Sequence, residues 1–391
     1  KPILPVSFDS PIEAEQFDLS ALFKFTQFSG SLKQIQSEID DAEFRKKLLD
    51  LLRVALNDAK DSLAKNLYKT KSGAEYVGFH AVIMDRLIAA IHATVAARFG
   101  NNKSLKICGL SILAVGGYGR GELSPYSDVD LLFLYQKDRL SQHQQIIEYI
   151  LYLLWDVGLK VGHSSRTIDQ CLEAAGEDVT IMTALLEIRH IHGDTGLFKN
   201  FEKRLRIWMT SQSVSYFVTR KLQERDIRHK QHGATRYMVE PQIKEGKGGL
   251  RDLHTLFWIA KFAYKVNSVE EIIERGVLRV SEAKKFASSQ RFLWTVRCFL
   301  HLRSKREDDR LTFDAQIDIA PLMGFSGRAG MRGVERFMKR YFLAARQVGT
   351  LTRIFCAAIE SDFENKGIFG LGKILNFASF YNQSKLAPFE V

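Results

Sequence analysis

A chain of 391 residues is too long for one hydrophobic core of ordinary size, so we expect at least two domains. Hydrophobic residues make up 46% and charged residues 26% of the sequence, a globular composition that excludes wholesale disorder. The formal net charge of +11 predicts an anionic partner, which nucleotide phosphates, nucleic acid or an acidic protein surface would equally satisfy.

Cysteine usage and hydropathy favour a cytoplasmic protein without membrane contact. No signal-peptide pattern begins the chain, and no apolar run approaches the roughly 20 residues that span a bilayer. The cysteines are scattered and form no CxxC pair, which argues against a disulfide framework or a zinc site. Reduced thiols are therefore expected at Cys108, Cys171, Cys298 and Cys356.

Residues 1–74 are predicted to form an N-terminal arm followed by a helix. The prolines and weak periodicity of residues 1–37 indicate an irregular arm, whereas apolar residues at helical spacing predict a helix over 38–68. A second helix is expected over 76–99, where a Gly-Asn pair supplies the stop signal.

The pattern changes between residues 107 and 167. An apolar run over 107–115 predicts a buried strand that ends in two glycines, and 129–135 predicts another. Residues 144–157 look helical and 159–166 look extended. This region therefore indicates strand, turn, strand, helix and strand in succession.

Nearly everything after residue 168 has helical spacing. The predicted helical stretches are 178–192, 197–230, 252–264, 281–306 and 333–360. We therefore expect an α+β protein in which a small mixed-sheet domain, residues 75–190, is embedded in a largely helical chain. The helical domain, residues 191–391, contains a basic glycine-rich loop at 240–252.

Two aspartates open the second predicted strand. Asp128 and Asp130 are two residues apart, so their side chains project from the same face of a strand. Two neighbouring carboxylates repel each other unless a cation neutralises them. Mg²⁺ prefers oxygen ligands and is typically held by one or two carboxylates together with substrate phosphates. We therefore predict Asp128 and Asp130 to be catalytic ligands of Mg²⁺ or Mn²⁺.

A glycine pair lies at the end of the first predicted strand. Gly116 and Gly117 let the backbone approach a triphosphate closely because no Cβ intervenes. Amides of the short segment 118–123 could donate hydrogen bonds to phosphate oxygens, and Arg120 is placed to add a charge-assisted contact. The alternative for Arg120 is a surface arginine beside Glu122 that needs no function.

The stretch GGYGRGELSPYSDVDLL at 116–132 resembles the signature of polymerase-β-like nucleotidyltransferases, in which two glycines and a spacer precede Asp-x-Asp. Tyr118 stands where many members have serine, which leaves only a backbone contact there. The chain is more closely similar to the N-terminal nucleotidyltransferase domain of the bacterial PII uridylyltransferase/uridylyl-removing enzymes. Two further motifs carry that resemblance, VGHSSRT at 161–167 and EPQIKEGKGGLRDLH at 240–254.

The resemblance implies transfer of UMP from UTP to a tyrosine of the nitrogen-signalling PII protein, with release of pyrophosphate by two-metal catalysis. A phenol with a pKa near 10 needs a base or a metal to help it attack. Superfamily members commonly use a third carboxylate from a neighbouring strand, but residues 159–166 contain none. Asp169 and Asp178 are better explained as helix-start residues, so the base stays unassigned.

The family enzymes also carry an HD domain that removes UMP and ACT domains that sense glutamine. No His-Asp dipeptide occurs in the sequence, and the chain stops at Val391, where the family enzymes continue. We therefore expect an N-terminal fragment that lacks the HD and ACT domains and has no hydrolase activity.

The basic glycine-rich loop at 240–252 can embrace phosphates, which makes Lys244 and Arg251 candidate nucleotide contacts. The alternative is a turn between helices whose charges are merely solvated. For His163 and Arg166 a structural role on the sheet is favoured.

Two other functions stay open. The same glycines and aspartates would serve a protein adenylyltransferase that uses ATP, like the adenylyltransferase of glutamine synthetase. A non-catalytic nucleic-acid-binding protein with the same fold would match the basic charge. The intact aspartates and the lack of clustered aromatics argue against it, so nucleic acid is not the expected partner.

Overall fold

The computed structural model describes residues 22–35, 40–99, 109–137, 140–232, 235–266, 268–328 and 330–364. Its strands are β1 (Leu110–Ala114), β2 (Val129–Tyr135), β3 (Val161–Arg166) and β4 (Arg189–Gly193). Its helices are α1 (Phe25–Ile35), α2 (Asp41–Thr70), α3 (Gly73–Phe99), α4 (Gly116–Gly119), α5 (Leu140–Asp156), α6 (Ile168–Glu177), α7 (Val179–Leu185), α8 (Thr195–Ser211), α9 (Val214–Gln231), α10 (Leu250–Tyr264), α11 (Val269–Glu274), α12 (Val280–Ser304), α13 (Phe313–Leu322) and α14 (Gly333–Glu364). The predicted α+β class is confirmed.

The sheet has the strand order β3-β2-β1-β4. Strand β1 pairs antiparallel with β2 and β4, whereas β2 and β3 run parallel, so the sheet is mixed as predicted. Both faces of its two central strands are covered by packed side chains, since Leu113 and Leu132 enter one hydrophobic cluster and Ile112 and Phe133 enter the other. This burial explains the unbroken apolar runs of these strands.

The helix predicted over 178–192 is wrong beyond Leu185, because residues 189–193 form strand β4. This strand is rich in polar residues and carries little strand signal of its own. It forms because β1 supplies hydrogen-bonding partners, with Ser111 opposite Gly193. Gly193 has φ of +107°, and any side chain there would collide with the backbone of Leu110.

Two further predictions need correction. The arm predicted over 1–37 contains helix α1, in which Phe28 and Leu32 are buried against neighbouring helices, while residues 1–21 lie outside the described residues. The helix predicted over 197–230 is two helices, because Ser213 begins α9 by accepting a hydrogen bond from the backbone of Tyr216.

Two helices, Gly73–Arg98 and Gly333–Ile359, are long and apolar enough to cross a bilayer by length and composition. The most apolar stretch of the first helix is 67% buried inside the protein, and that of the second is 39% buried. Helix α3 packs against α2 and α12, and α14 packs against α10, α12 and α13. This packing is what core helices of a helical protein show, and the length criterion alone is weak evidence for a membrane.

Candidate active site

Asp128 and Asp130 lie at the start of β2, where the strand enters a cleft. Asp128 is exposed and Asp130 is partly buried. Burial raises the pKa of the Asp130 carboxyl, the negative charge of Asp128 raises it further, and Lys244 and Arg120 act in the opposite direction. The two carboxylates therefore repel each other, and a bound cation would relieve that repulsion.

The carboxylate of Asp130 lies between two glycines. Gly116 has φ of +59°, and a Cβ added there would lie 3.3 Å from Asp130 Oδ2. Gly162 on β3 is directly opposite Asp130 in the strand register, and a Cβ there would overlap Asp130 Oδ1. Because neither glycine has a side chain, there is room between them for the Asp130 carboxylate.

Arg120 is not on the surface but at the buried end of the cleft, with 7% of its side chain exposed. Its Nη1 donates to Glu187 Oε2 at 2.6 Å and its Nε to Glu122 Oε2 at 3.0 Å. Trp258 Nε1 donates to the other oxygen of Glu187, and His254 Nε2 lies 2.8 Å from Glu122 Oε2. Arg120 therefore does pair with Glu122, but within a buried cluster and not on the surface.

Charge balance explains the titration of this cluster. Burial alone would raise the pKa of Glu122, but Arg120 and His254 outweigh it and lower the pKa to about 2. Burial lowers the pKa of His254 to about 4, so its ring is neutral at physiological pH. Arg120 thus carries the positive charge that two buried carboxylates require.

Replacing Arg120 by methionine should destabilise the fold by about 3–5 kcal/mol, because Glu122 and Glu187 would stay buried without their cation. The free energy of unfolding from urea titration measures this effect. The matched control is Arg204→Met, which breaks an ion pair with Asp169 whose side chains are 43% and 72% exposed and should cost about 1 kcal/mol or less. Equal losses in both variants would contradict a structural role for Arg120.

The loop at 240–252 is held in place by hydrogen bonds. Asp252 accepts a hydrogen bond from the Gly248 N–H at 2.8 Å and contacts Arg228 and His229. The Ile243 N–H donates to the Asp309 carbonyl at 2.8 Å, which joins the loop to the segment after α12. The loop is therefore an ordered part of the cleft wall, held by contacts of its own.

The basic side chains of this loop are paired with acids. Lys244 Nζ lies 3.0 Å from Glu307 Oε1, and Arg251 Nη2 lies 3.0 Å from Glu245 Oε1. Glu307 also accepts a hydrogen bond from Arg297 Nη2 at 3.1 Å. Neither cation is merely solvated, and both line the cleft.

One cleft of about 330 Å³ brings all the predicted site residues together. They are Gly116, Gly117, Arg120, Asp128, Asp130, Lys244 and Arg251. Residues of the cleft that sequence patterns did not single out include Glu187, Lys221, Trp258, Arg297 and Glu307. Glu307 lies in a mixed charge run, residues 305–310, which is typical of a solvated surface and gave no signal.

Other sequence-based expectations concern residues beside the cleft. His163 is exposed on β3, with its ring centroid 5.7 Å from that of Trp155. Asp178 caps α7, and Asp169 lies in the first turn of α6, where it pairs with Arg204. The helix-start interpretation of both aspartates is therefore confirmed, and neither supplies the third acid.

The donor set fits a hard divalent cation. Among the described residues no group of three His, Cys, Asp or Glu side chains has the arrangement of a metal cage. Asp130 in β2 and Asp128 just before it supply two carboxylates to the cleft, and burial together with the charge of Asp128 raises the pKa of Asp130. Mg²⁺ is commonly bound by one or two carboxylates that are completed by water and substrate phosphates.

Two family models match the chain, the nucleotidyltransferase domain over residues 101–174 and the GlnD PII-uridylyltransferase over residues 216–356. Bifunctional uridylyltransferase/uridylyl-removing enzymes of Rhodospirillum rubrum and Azospirillum brasilense are 45% and 44% identical over 86% of this chain. The enzyme of that name from Novosphingobium aromaticivorans is 44% identical over 88%. The chain spans between 36% and 38% of the length of these relatives. The first model includes both aspartates, and the second includes the basic loop.

Proposed function

We propose, from the premise that this chain belongs to the family of bifunctional uridylyltransferase/uridylyl-removing enzymes, that it transfers UMP from UTP to a tyrosine of a PII signalling protein. The observation that carries the proposal is the single cleft in which Asp128 and Asp130 face the glycine pair and the cations of the 240–252 loop. A reaction of this kind would take place in the cytoplasm, where UTP is available.

The chain contributes binding and orientation of the triphosphate. Gly116 and Gly117 leave the backbone open to close approach by phosphate oxygens. Lys244 and Arg251 line the opposite side of the cleft and would offset phosphate charge once UTP competes with their acidic partners. The buried cluster around Arg120 supports the turn that bears the glycines, since Gly119 approaches the Glu187 carbonyl too closely for any side chain.

Asp128 and Asp130 would hold the divalent metal. Mg²⁺ or Mn²⁺ bound there would polarise the α-phosphate and stabilise the departing pyrophosphate, and a pair of ions about 4 Å apart is the common arrangement for such displacements. The tyrosine oxygen forms a bond to the α-phosphorus as the bond to the pyrophosphate oxygen breaks in line. The phenolic proton must leave at the same time.

Incubation of the protein with magnesium and α-labelled UTP or ATP, with and without PII, tests the assignment. We expect label on PII from UTP only, with one pyrophosphate released for each nucleotide transferred. Labelling from ATP alone would move the assignment to a protein adenylyltransferase. Nucleic-acid binding in a gel-shift assay without any transfer would favour the non-catalytic alternative.

A further inference from the structure

We propose that Glu307, in the link between α12 and α13, is the carboxylate that accepts the proton of the acceptor hydroxyl. The proposal rests on the proposed transferase function. It assigns to Glu307 the role of the third carboxylate, for which β3 has no acidic residue. Gly162 occupies the position opposite Asp130 on β3, and any side chain there would overlap the Asp130 carboxylate. Because β3, with the sequence VGHSSR, contains no Asp or Glu, an acid for the acceptor must come from another part of the cleft.

Three other acids of the cleft have contacts on both oxygens. Glu122 accepts from Arg120 on one oxygen, which His254 Nε2 also approaches at 2.8 Å, and from Gln290 on the other. Glu187 accepts from Arg120 and from Trp258, one on each oxygen. Glu245 is held by Arg251 through both oxygens. Glu224 also lines the cleft, and Lys221 of the same helix holds one of its oxygens.

Glu307 is held through one oxygen only. Lys244 Nζ and Arg297 Nη2 both contact its Oε1, at 3.0 Å and 3.1 Å. Within the described residues no hydrogen bond reaches Oε2, and the side chain is 26% exposed. The carboxylate is thus held by two cations through one oxygen, and its side chain lines the cleft.

The position of Glu307 is fixed by the chain on either side of it. Arg297 Nε donates to Asp309 Oδ1 at 2.6 Å, and Arg297 Nη1 donates to Ser124 Oγ at 3.1 Å, in the turn that leads to Asp128. The backbone pairing of Ile243 with Asp309 holds the segment that bears Glu307 against the loop that bears Lys244. A single set of contacts therefore connects Glu307 with the two-aspartate strand.

The electrostatics agree with this placement. Glu307 acts on Asp130 across the cleft as a further negative charge that raises the pKa of Asp130. Burial alone would raise the pKa of Glu307, but Lys244 and Arg297 outweigh burial and the opposing charge of Asp309, so its pKa is lowered. Glu307 is therefore ionised at neutral pH and able to accept a proton.

The proposed step balances without another reactant. As the tyrosine oxygen bonds to the α-phosphorus, its O–H bond breaks and the proton passes to Glu307 Oε2. The bond between the α-phosphorus and the bridging oxygen breaks, and pyrophosphate takes that electron pair. Phenol acidity rises as the new O–P bond forms, which lets a carboxylate of low pKa accept the proton late in the step.

The test compares Glu307→Gln with the wild type in transfer to PII from UTP. We expect kcat to fall about 10²–10³-fold, because a general base contributes rate of this order. The affinity for UTP with Mn²⁺, measured by calorimetry, should not weaken, because the substitution removes a negative charge that competes with phosphate for Lys244. Between pH 7 and 9 the variant rate should rise about tenfold per pH unit, as expected when phenolate formation replaces the base, while the wild-type rate stays flat.

The matched control is Glu43→Gln on α2, outside the cleft, where one oxygen lies 3.8 Å from Lys47 Nζ and 45% of the side chain is exposed. Its rate should stay near that of the wild type. With a PII acceptor that contains 3-fluorotyrosine, a more acidic phenol, the difference in transfer rate between Glu307→Gln and wild type should become smaller. Glu307→Asp, which keeps the carboxylate, should recover part of the rate.

Two results would overturn the role of Glu307. One is a weakened UTP affinity at unchanged kcat, which would make Glu307 a support for Lys244 only. The other is a pH profile with the same shape in Glu307→Gln and wild type. If the wild type transfers nothing to PII, the proposed function fails, and the same comparison of variants is then made on the slow hydrolysis of UTP by water. Equal rates of UTP hydrolysis in Glu307→Gln and wild type would then refute the role of Glu307 as the base, separately from the proposed function.

Discussion

Replacing Asp130 by asparagine should reduce transfer at least about 10³-fold while leaving the melting temperature unchanged or higher. The activity is lost because the amide carries no negative charge for the metal that must organise the triphosphate. Stability is kept because burial and the neighbouring Asp128 disfavour the ionised Asp130 in the folded protein, as its raised pKa shows. At neutral pH the ionised carboxylate thus costs folding free energy, and the neutral amide removes that cost.

Two measurements separate these effects. Transfer of labelled UMP gives the loss of activity, and thermal unfolding with and without UTP and Mn²⁺ gives ligand stabilisation, which should vanish in the variant. The control is Asp169→Asn, which changes a 72% exposed aspartate outside the cleft. This variant should keep both the wild-type transfer rate and the wild-type stabilisation by ligand. An Asp130→Asn protein that keeps wild-type transfer, or that melts well below wild type, would refute the assigned role.

Replacing Gly162 by alanine should reduce transfer about 10²-fold, although this residue carries no side chain and touches no substrate. The added methyl group would overlap Asp130 Oδ1, and the flexible carboxylate is the part of the contact able to move. Displacement of a catalytic group by about 1 Å is enough for a loss of this size. Because only a side chain must shift its rotamer, the expected cost in stability is about 1 kcal/mol.

The control for this variant is Gly176→Ala on α6, where a methyl group meets only the ring of Trp208 at 3.8 Å. That substitution should leave both activity and stability near wild type. For Gly162→Ala, the affinity for UTP with Mn²⁺ should fall along with kcat, because the displaced group is the Asp130 carboxylate, which we propose holds the metal. Full activity, or an activity loss that merely follows unfolding, would show that Gly162 does not position Asp130.

The residues of the candidate site could be picked out from the sequence because their signals are local, and they do share one cleft. A strand places residues i and i+2 on one face, so Asp128 and Asp130 could be paired without knowledge of the fold. The glycine pair likewise marks a close backbone approach within a few residues. The mixed sheet and most of the helices followed from apolar periodicity in the same way, and the three motifs indicated the family that the comparisons support.

Other features depend on contacts between distant parts of the chain. Strand β4 exists because β1 offers it hydrogen bonds, and its own residues do not favour a strand. Arg120 is buried because Glu187, which is 67 residues away, is brought to it by packing. Lys244 meets Glu307 across 63 residues of sequence. Spacing along the chain contains no information about such pairs.

Local sequence patterns predict two carboxylates beside a glycine turn, a set that suits a divalent cation and a phosphate substrate. The folded chain shows which other charges share their cleft and which of those are paired. It also shows why no side chain stands opposite Asp130 on β3, because the Asp130 carboxylate fills that space. Local geometry is encoded in neighbouring residues, whereas charge balance and free volume are properties of the packed chain.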